Sequence, residues 1–277
     1  MPAIQKKYND LLELLKAYSP FHLAFSGGLD SRFLAHAARR AGVSFTAVHI
    51  VGPHVPHRDT DAALAWLERN KLTYNTIHFD PLNLEEVANG SKDRCYQCKR
   101  EMFRLIQAKA GKQNVLEGSN ASDKLKFRPG SRALQELGIF SPLGSVGLAK
   151  QEIRSLAGRT GLDYPAQPSR PCLLTRIDYG LTPEEGILKR LEAVEAAIAE
   201  LGFENFRMRI FRDKSPVLQI HWDEIKKMEA SRLQLGQLLD MYGFTDAKIH
   251  AEFEISGFFD NERGNEVNDL EILKKLF

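Results

Sequence analysis

The sequence predicts an α/β fold, a parallel sheet covered by helices on both faces, followed by a small α+β unit. Three observations carry this expectation. Apolar strand-like runs alternate with helical stripes through the first 120 residues, the rhythm that βαβ units require. That rhythm changes near residue 180, after four prolines between Pro165 and Pro183. The chain has 277 residues, which at roughly 150 residues per domain suggests two domains. The expected division is 1–180 and 181–277.

The elements follow in order. Ile4, Tyr8, Leu11, Leu12 and Leu15 share one helical face. Phe21–Phe25 reads as a buried strand. Phe33, Leu34, Ala37, Ala38 and Ala41 form the next stripe, which Gly42 ends as a C-terminal glycine. A strand over 44–51, a helix over 59–70, a strand over 73–79 and a short strand over 114–116 complete the first part. In the second part, Thr182 is expected to cap a helix that has Pro183 at its first position and runs to about Leu201. Strands over 206–210 and 217–220, a helix over 223–241, a strand over 247–253 and a helix over 269–276 follow.

Composition narrows the function class. Hydrophobic residues make up 43% and charged residues 27%, as in ordinary globular proteins, so disordered and fibrous classes are excluded. No run reaches the roughly 18 apolar residues of a membrane span, and the N-terminus lacks the apolar core of a secretory signal. The net charge of +2 gives no argument for nucleic acid as a partner. The three cysteines, Cys95, Cys98 and Cys172, are an odd number, which fits a reducing, cytoplasmic setting better than a disulfide scaffold.

The most specific motif is Ser26-Gly27-Gly28-Leu29-Asp30-Ser31. It stands between a predicted strand and a predicted helix, where backbone N–H groups and a helix amino end favour an anion. Ser26 and Ser31 add hydroxyl donors. Asp30 is a poor phosphate neighbour, so its expected task is to hold Mg²⁺ or to cap the helix. The motif is neither a Walker A loop nor a dinucleotide-binding G-x-G-x-x-G. It is similar to the S-G-G-x-D-S signature of the PP-loop ATP pyrophosphatases. That resemblance implies ATP and Mg²⁺ as cofactors, a grip on the β,γ-pyrophosphate and transfer of the substrate onto AMP.

Cys95 and Cys98 form a C-x-x-C among basic residues, ahead of an amphipathic stripe of Met102, Phe103, Leu105 and Ile106. Cys172 stands in the loop Pro171-Cys172-Leu173-Leu174-Thr175-Arg176. Basic neighbours and a helix start stabilise thiolates. Four readings compete: a zinc site, a redox pair, buried structural thiols, or an iron–sulfur cluster with three protein ligands and one open iron.

The tracts DRCYQCKREMF, GSNASD, RPGSRAL, KQEIRSLA and PSRPCLLTRIDYG make nearly the whole chain resemble the LarE family of sulfur transferases. The resemblance implies adenylylation of a pyridinium biscarboxylic acid mononucleotide and its conversion to a thiocarboxylate, for the nickel-pincer nucleotide cofactor. It implies either a 4Fe–4S cluster on Cys95, Cys98 and Cys172, or a sacrificial Cys172 as the sulfur source. The chain resembles the cluster-bearing kind, and Arg176 joins Cys172 and Asp30 as a catalytic candidate. The resemblance also implies a homo-oligomer. tRNA thiolation and a non-catalytic adenine-nucleotide-binding protein stand as alternatives.

Secondary candidates surround these motifs. From Lys92 to Arg132 there are eleven Lys and Arg against four Asp and Glu, fitting either an anionic-ligand cleft or a solvated basic face. Gly118 and Asp123 lie in the loop after the strand at 114–116, where open sheets place ligands. Arg128 and Lys150 match family positions that face phosphates. Arg207 and Arg209, two apart on a strand, share one face, and the resemblance implies that they hold the substrate's phosphate.

Overall fold

A computed structural model describes residues 3–125 and 130–260. Arg128 and the helix expected over 269–276 lie outside the described residues. The chain divides into two units, Met1–Arg170 and Pro171–Phe277.

The first unit opens with α1 (Ala3–Tyr18), whose Tyr8, Leu11 and Leu15 are buried. Then β1 (Phe21–Ala24), α2 (Leu29–Arg40), β2 (Phe45–Val51), α3 (His57–Arg69) and β3 (Tyr74–His78) alternate as expected. Next come α4 (Glu85–Ala88), α5 (Arg94–Ala110), β4 (Asn114–Leu116), α6 (Gly130–Glu136), α7 (Pro142–Ser145) and α8 (Lys150–Thr160). The described strands make a parallel sheet in the order β3-β2-β1-β4.

The alternation of side chains along the strands explains the covering of both faces. Ala47 on β2 and Leu116 on β4 join a core with α1, α2, α3 and α8. Their neighbours Val48 and Val115 point the other way, to Phe103 and Ile106 of α5 and Leu134 of α6. Because β2 and β4 flank β1 on opposite sides, the winding reverses at β1. Ligands in open α/β sheets bind at the carboxyl ends of strands beside such a reversal.

The second unit holds α9 (Glu185–Glu200), β5 (Phe206–Ile210), β6 (Pro216–His221), α10 (Ile225–Ala230), α11 (Arg232–Met241) and β7 (Lys248–Glu252). Its described sheet has the order β5-β6-β7, with β5 antiparallel and β7 parallel to β6. The α+β expectation therefore stands.

Three details differ from the sequence expectation. The unit boundary falls at 170/171 rather than 180, so Cys172 belongs to the second unit. The reason is bonding: Asp178 N–H donates to Ile210 O at 2.9 Å, and Arg176 pairs with Glu195 of α9. Thr182 and Pro183 do not start α9, because the first helical acceptor is Glu184 O, bonded by Ile187 and Leu188 N–H. The helix expected over 223–241 breaks at Ser231 into α10 and α11. The break lets Met228 on one piece and Leu235 and Leu239 on the other all reach the interior. Among the described residues no helix is long and apolar enough to cross a membrane.

Phe33 on α2 is fully buried. Phe33→Ala is expected to cost about 3–5 kcal/mol of stability, read as a lower urea midpoint. An unchanged midpoint would remove Phe33 from the core.

Candidate functional site

The chain leaves β1 through Ser26, Gly27 and Gly28 and enters α2. Gly27 has φ +75°, and a Cβ there would lie 2.7 Å from Ala63 Cβ of α3. Glycine is therefore required both for the left-handed backbone and for the close helix. Gly28 is the N-cap of α2, and no side chain caps that end, which leaves the first-turn N–H groups for an anion. The hydroxyls of Ser26 and Ser31 lie 3.3 Å apart, and Ser31 Oγ donates to Gly28 O at 3.0 Å. Both hydroxyls thus line the turn.

The loop after β4 closes against the same spot. A Cβ on Gly118 would stand 3.1 Å from Ser31 N and 3.3 Å from Asp30 Cβ, so only glycine passes without displacement. Glu117, buried, accepts from Ser119 N–H, Ser119 Oγ and Ser141 Oγ and shapes this loop. Asp123 accepts from Asn120 N–H at 3.0 Å, and Ser122 Oγ accepts from Lys150 N–H at the start of α8. The sequence marks Asn120 only as a member of the loop over 118–123 and leaves out Glu117, the residue just before it.

These elements converge on Asp30. Lys150 Nζ donates to Asp30 Oδ2 at 2.8 Å, and Asn120 Nδ2 reaches the same oxygen at 3.4 Å. The other oxygen, Oδ1, is buried without a hydrogen-bond partner. Burial raises the pKa of Asp30 above the usual carboxylate range; Lys150 works against this rise, and the charge of Asp123 adds to it. An unsatisfied buried carboxylate oxygen with a second carboxylate nearby suits a hard divalent cation. The residues present therefore fit Mg²⁺. Lys150, expected to face phosphate, is held here by Asp30.

Cys95 and Cys98 lie inside the first two turns of α5 rather than ahead of it. Their spacing of three puts them on one helical face, both half-buried. Tyr96 between them donates to Glu136 Oε2 at 2.6 Å and carries the Arg132 guanidinium 3.6 Å over its ring, which fastens α5 to α6. None of the three cysteines is in a disulfide. Among the described residues no group of three or more His, Cys, Asp or Glu side chains is gathered as a metal site.

In the second unit, Cys172 heads a short 3₁₀ turn (Leu173–Arg176). Arg176 is buried there. It pairs through Nε and Nη2 with Glu195 at 2.9 and 2.8 Å and donates to Pro171 O at 2.9 Å and Cys172 O at 3.4 Å. Its guanidinium therefore shapes the cysteine loop from behind. Arg207 and Arg209 are buried as well, at 3% and 2% exposure. Arg209 donates to Thr175 O, Ile255 O and Gln219 Oε1. Burial, then the charges of Arg176 and Arg207, push its pKa down to about 9, still protonated at neutral pH.

Three buried arginines thus act on one another, with Glu195 and Asp260 as the carboxylates opposing them. Burial works to raise the pKa of Glu195, but Arg176, Met208 N–H and Arg207 hold it below the usual range. The set carries surplus positive charge, the condition for attracting an anion. Glu195, on the inner face of α9, was not singled out in the sequence, because a glutamate in an amphipathic helix normally faces water.

The raised pKa of Asp30 has a consequence for stability. The folded protein holds that proton more tightly than the unfolded chain does. Asp30 therefore weakens the fold as pH rises from the unfolded carboxylate pKa to its folded value, with no further change above it. Lys150→Met removes the opposing cation and should widen this loss. The Tm deficit of the variant is expected to grow as pH rises above the ordinary carboxylate range of about 4 in scanning calorimetry. A deficit independent of pH would show that Asp30 does not rely on Lys150.

No protein-family model matches the chain. An uncharacterised protein of Synechocystis is 26% identical over 262 residues, covering 92% of this chain and 97% of the relative. The pyridinium-3,5-bisthiocarboxylic acid mononucleotide synthase of Lactiplantibacillus plantarum is 28% identical over 263 residues, covering 93% and 90%. Among solved structures, the NMN synthetase of Francisella tularensis superposes with a TM-score of 0.47 at 21% identity, over 61% of this chain and 74% of that one.

Proposed function

We propose that this protein is an ATP-dependent sulfur transferase that activates a carboxylate of a pyridinium biscarboxylic acid mononucleotide as its adenylate and converts it to a thiocarboxylate. The observation that carries this reading is the unsatisfied Asp30 oxygen at the mouth of the glycine loop. It supplies a cation site beside an anion site, the pairing that Mg²⁺ and a nucleoside triphosphate need. The similarity to a bisthiocarboxylic acid mononucleotide synthase over 93% of the chain supports the choice of substrate.

In this reading the amino end of α2, with Ser26, Gly27, Gly28 and Ser31, binds the β,γ-phosphates, Gly118 lets the loop after β4 close against them, and Asp30 and Asp123 hold Mg²⁺. A substrate carboxylate oxygen attacks the α-phosphorus. The new P–O bond replaces the bond to pyrophosphate, which leaves with its electron pair. The acyl carbon then carries AMP, a far better leaving group than oxide. A deprotonated sulfur forms the C–S bond as the C–O bond to AMP breaks. Arg207 and Arg209 are the proposed binders of the substrate's phosphate, and Arg176 sets the Cys172 loop from behind for its catalytic part.

Cys95, Cys98 and Cys172 would hold the 4Fe–4S cluster. Cys95 and Cys98 share a helical face, as two ligands of one cluster must. When bound, such a cluster supplies an open iron on which a sulfide can be carried. An assembly of identical chains belongs to the same proposal.

Release of AMP and pyrophosphate on adding the biscarboxylate mononucleotide to ATP and the anaerobically purified protein tests the activation step. Asp30→Asn is expected to lower kcat by roughly a hundredfold, equivalent to a few kcal/mol of lost charge stabilisation. AMP release that depends on tRNA instead would reject the substrate. Mass spectrometry of Cys172 after turnover tests the sulfur source. An intact thiol together with protein-bound iron and acid-labile sulfide is expected. A loss of H₂S from Cys172 would replace cluster delivery by sacrifice.

A further inference from the structure

Arg32, in the first turns of α2, is one of the most buried charged residues, at 4% exposure. Its guanidinium faces inward, onto the segment after α8. Nη1 donates to Asp163 O at 3.1 Å and Asp163 Oδ1 at 3.0 Å. Nη2 donates to Tyr164 O at 3.1 Å and to Gln167 Oε1 at 2.8 Å. Trp66 Nε1 of α3 donates to the same Asp163 oxygen at 2.8 Å, and Arg170 pairs with Asp59 of α3 at 3.0 Å. Residues 163–170 are therefore strapped to the two helices that flank the glycine loop.

The strap ends on the loop itself. Gln167 is buried, and its Nε2 donates to Gly27 O at 3.4 Å. A guanidinium can only donate, so Arg32 fixes which end of the Gln167 amide is the acceptor and leaves the NH₂ group for Gly27 O. In a trans peptide the C=O and N–H point in opposite directions. Holding Gly27 O toward Gln167 therefore turns the Gly28 N–H to the other side, where Ser26 Oγ lies at 3.4 Å. Ser26 Oγ is an exposed hydroxyl two residues away, which an incoming anionic oxygen can replace as acceptor.

We propose that Gln167, oriented by Arg32, is a positioning residue that sets the Gly27–Gly28 peptide for binding the terminal phosphates of the nucleotide. The proposal rests on the ATP-binding reading above and adds a residue that neither the motif nor the resemblance contains. Glycine at two successive positions leaves the peptide free to rotate. Without an external hold, an anion would have to pay the cost of ordering it on binding.

Calorimetric titration of the full chain with Mg²⁺ and ATP, inorganic pyrophosphate or AMP tests it. Gln167→Met keeps the length and removes the donor, while Gln167→Glu keeps the acceptor for Arg32 and replaces the donor by a carboxylate oxygen. Both are expected to weaken ATP and pyrophosphate by about tenfold, the loss of roughly one hydrogen bond, and to leave AMP unchanged, since it lacks the terminal phosphates. Equal losses for AMP and pyrophosphate would reduce Gln167 to a structural role and overturn the proposal. So would unaltered pyrophosphate binding in both variants. If one variant fails to fold by circular dichroism, the other decides. Wild-type protein that binds neither ATP nor pyrophosphate would instead defeat the nucleotide reading on which the proposal stands.

Discussion

Gly118 passes so close to Asp30 and Ser31 that a Cβ there would stand 3.1–3.3 Å from them, and the rest of the candidate site depends on that close approach. It exists because β1 lies between β2 and β4, so the loops that follow β1 and β4 open side by side. A side chain at Gly118 would force Asp30 and Ser31, or the loop itself, to give by a few tenths of an ångström. The same economy governs Gly27, where α3 occupies the space a side chain would need.

Electrostatics divides the work between the two units. In the first, Asp30 feels the charge of Asp123 as well as that of Lys150, and one of its oxygens is left unsatisfied. In the second, arginines outnumber carboxylates: Arg176, Arg207 and Arg209 act on Glu195. The charged groups of the two units are therefore weighted toward opposite signs. Such imbalances cost stability, and in the proposed function a divalent cation would offset the first and an anionic substrate the second.

Much of the fold was readable in one dimension. Leu11, Phe21 and Phe33 sit in the core because their spacing left no other face to bury, and the two glycines before Asp30 marked the loop between strand and helix. The second unit was less legible. A serine mid-helix is tolerated, so the break at Ser231 carries no local signal; it is decided by which side chains reach the interior. Thr182-Pro183 is a good local start for a helix and was overruled by the bonding of Glu184. Arg207 and Arg209 share one face, as alternation requires. The burial of Arg209 is matched by Gln219 and the Thr175 and Ile255 carbonyls, which come from distant parts of the chain.

By itself, the sequence determined the chemistry available: a glycine loop with flanking hydroxyls, a carboxylate two residues on, three thiols and a basic tract. Those are matters of residue type and short spacing, which covalent geometry carries directly. Tertiary structure decided which groups are free to act. Lys150 is spent on Asp30 across 120 residues, Arg176 on Glu195, and Arg32 on a strap that ends at Gly27. Partnership of this kind depends on burial and on distances between remote segments. No local pattern encodes those, so the unsatisfied oxygen of Asp30 and the hold of Gln167 on the glycine loop became visible only in three dimensions.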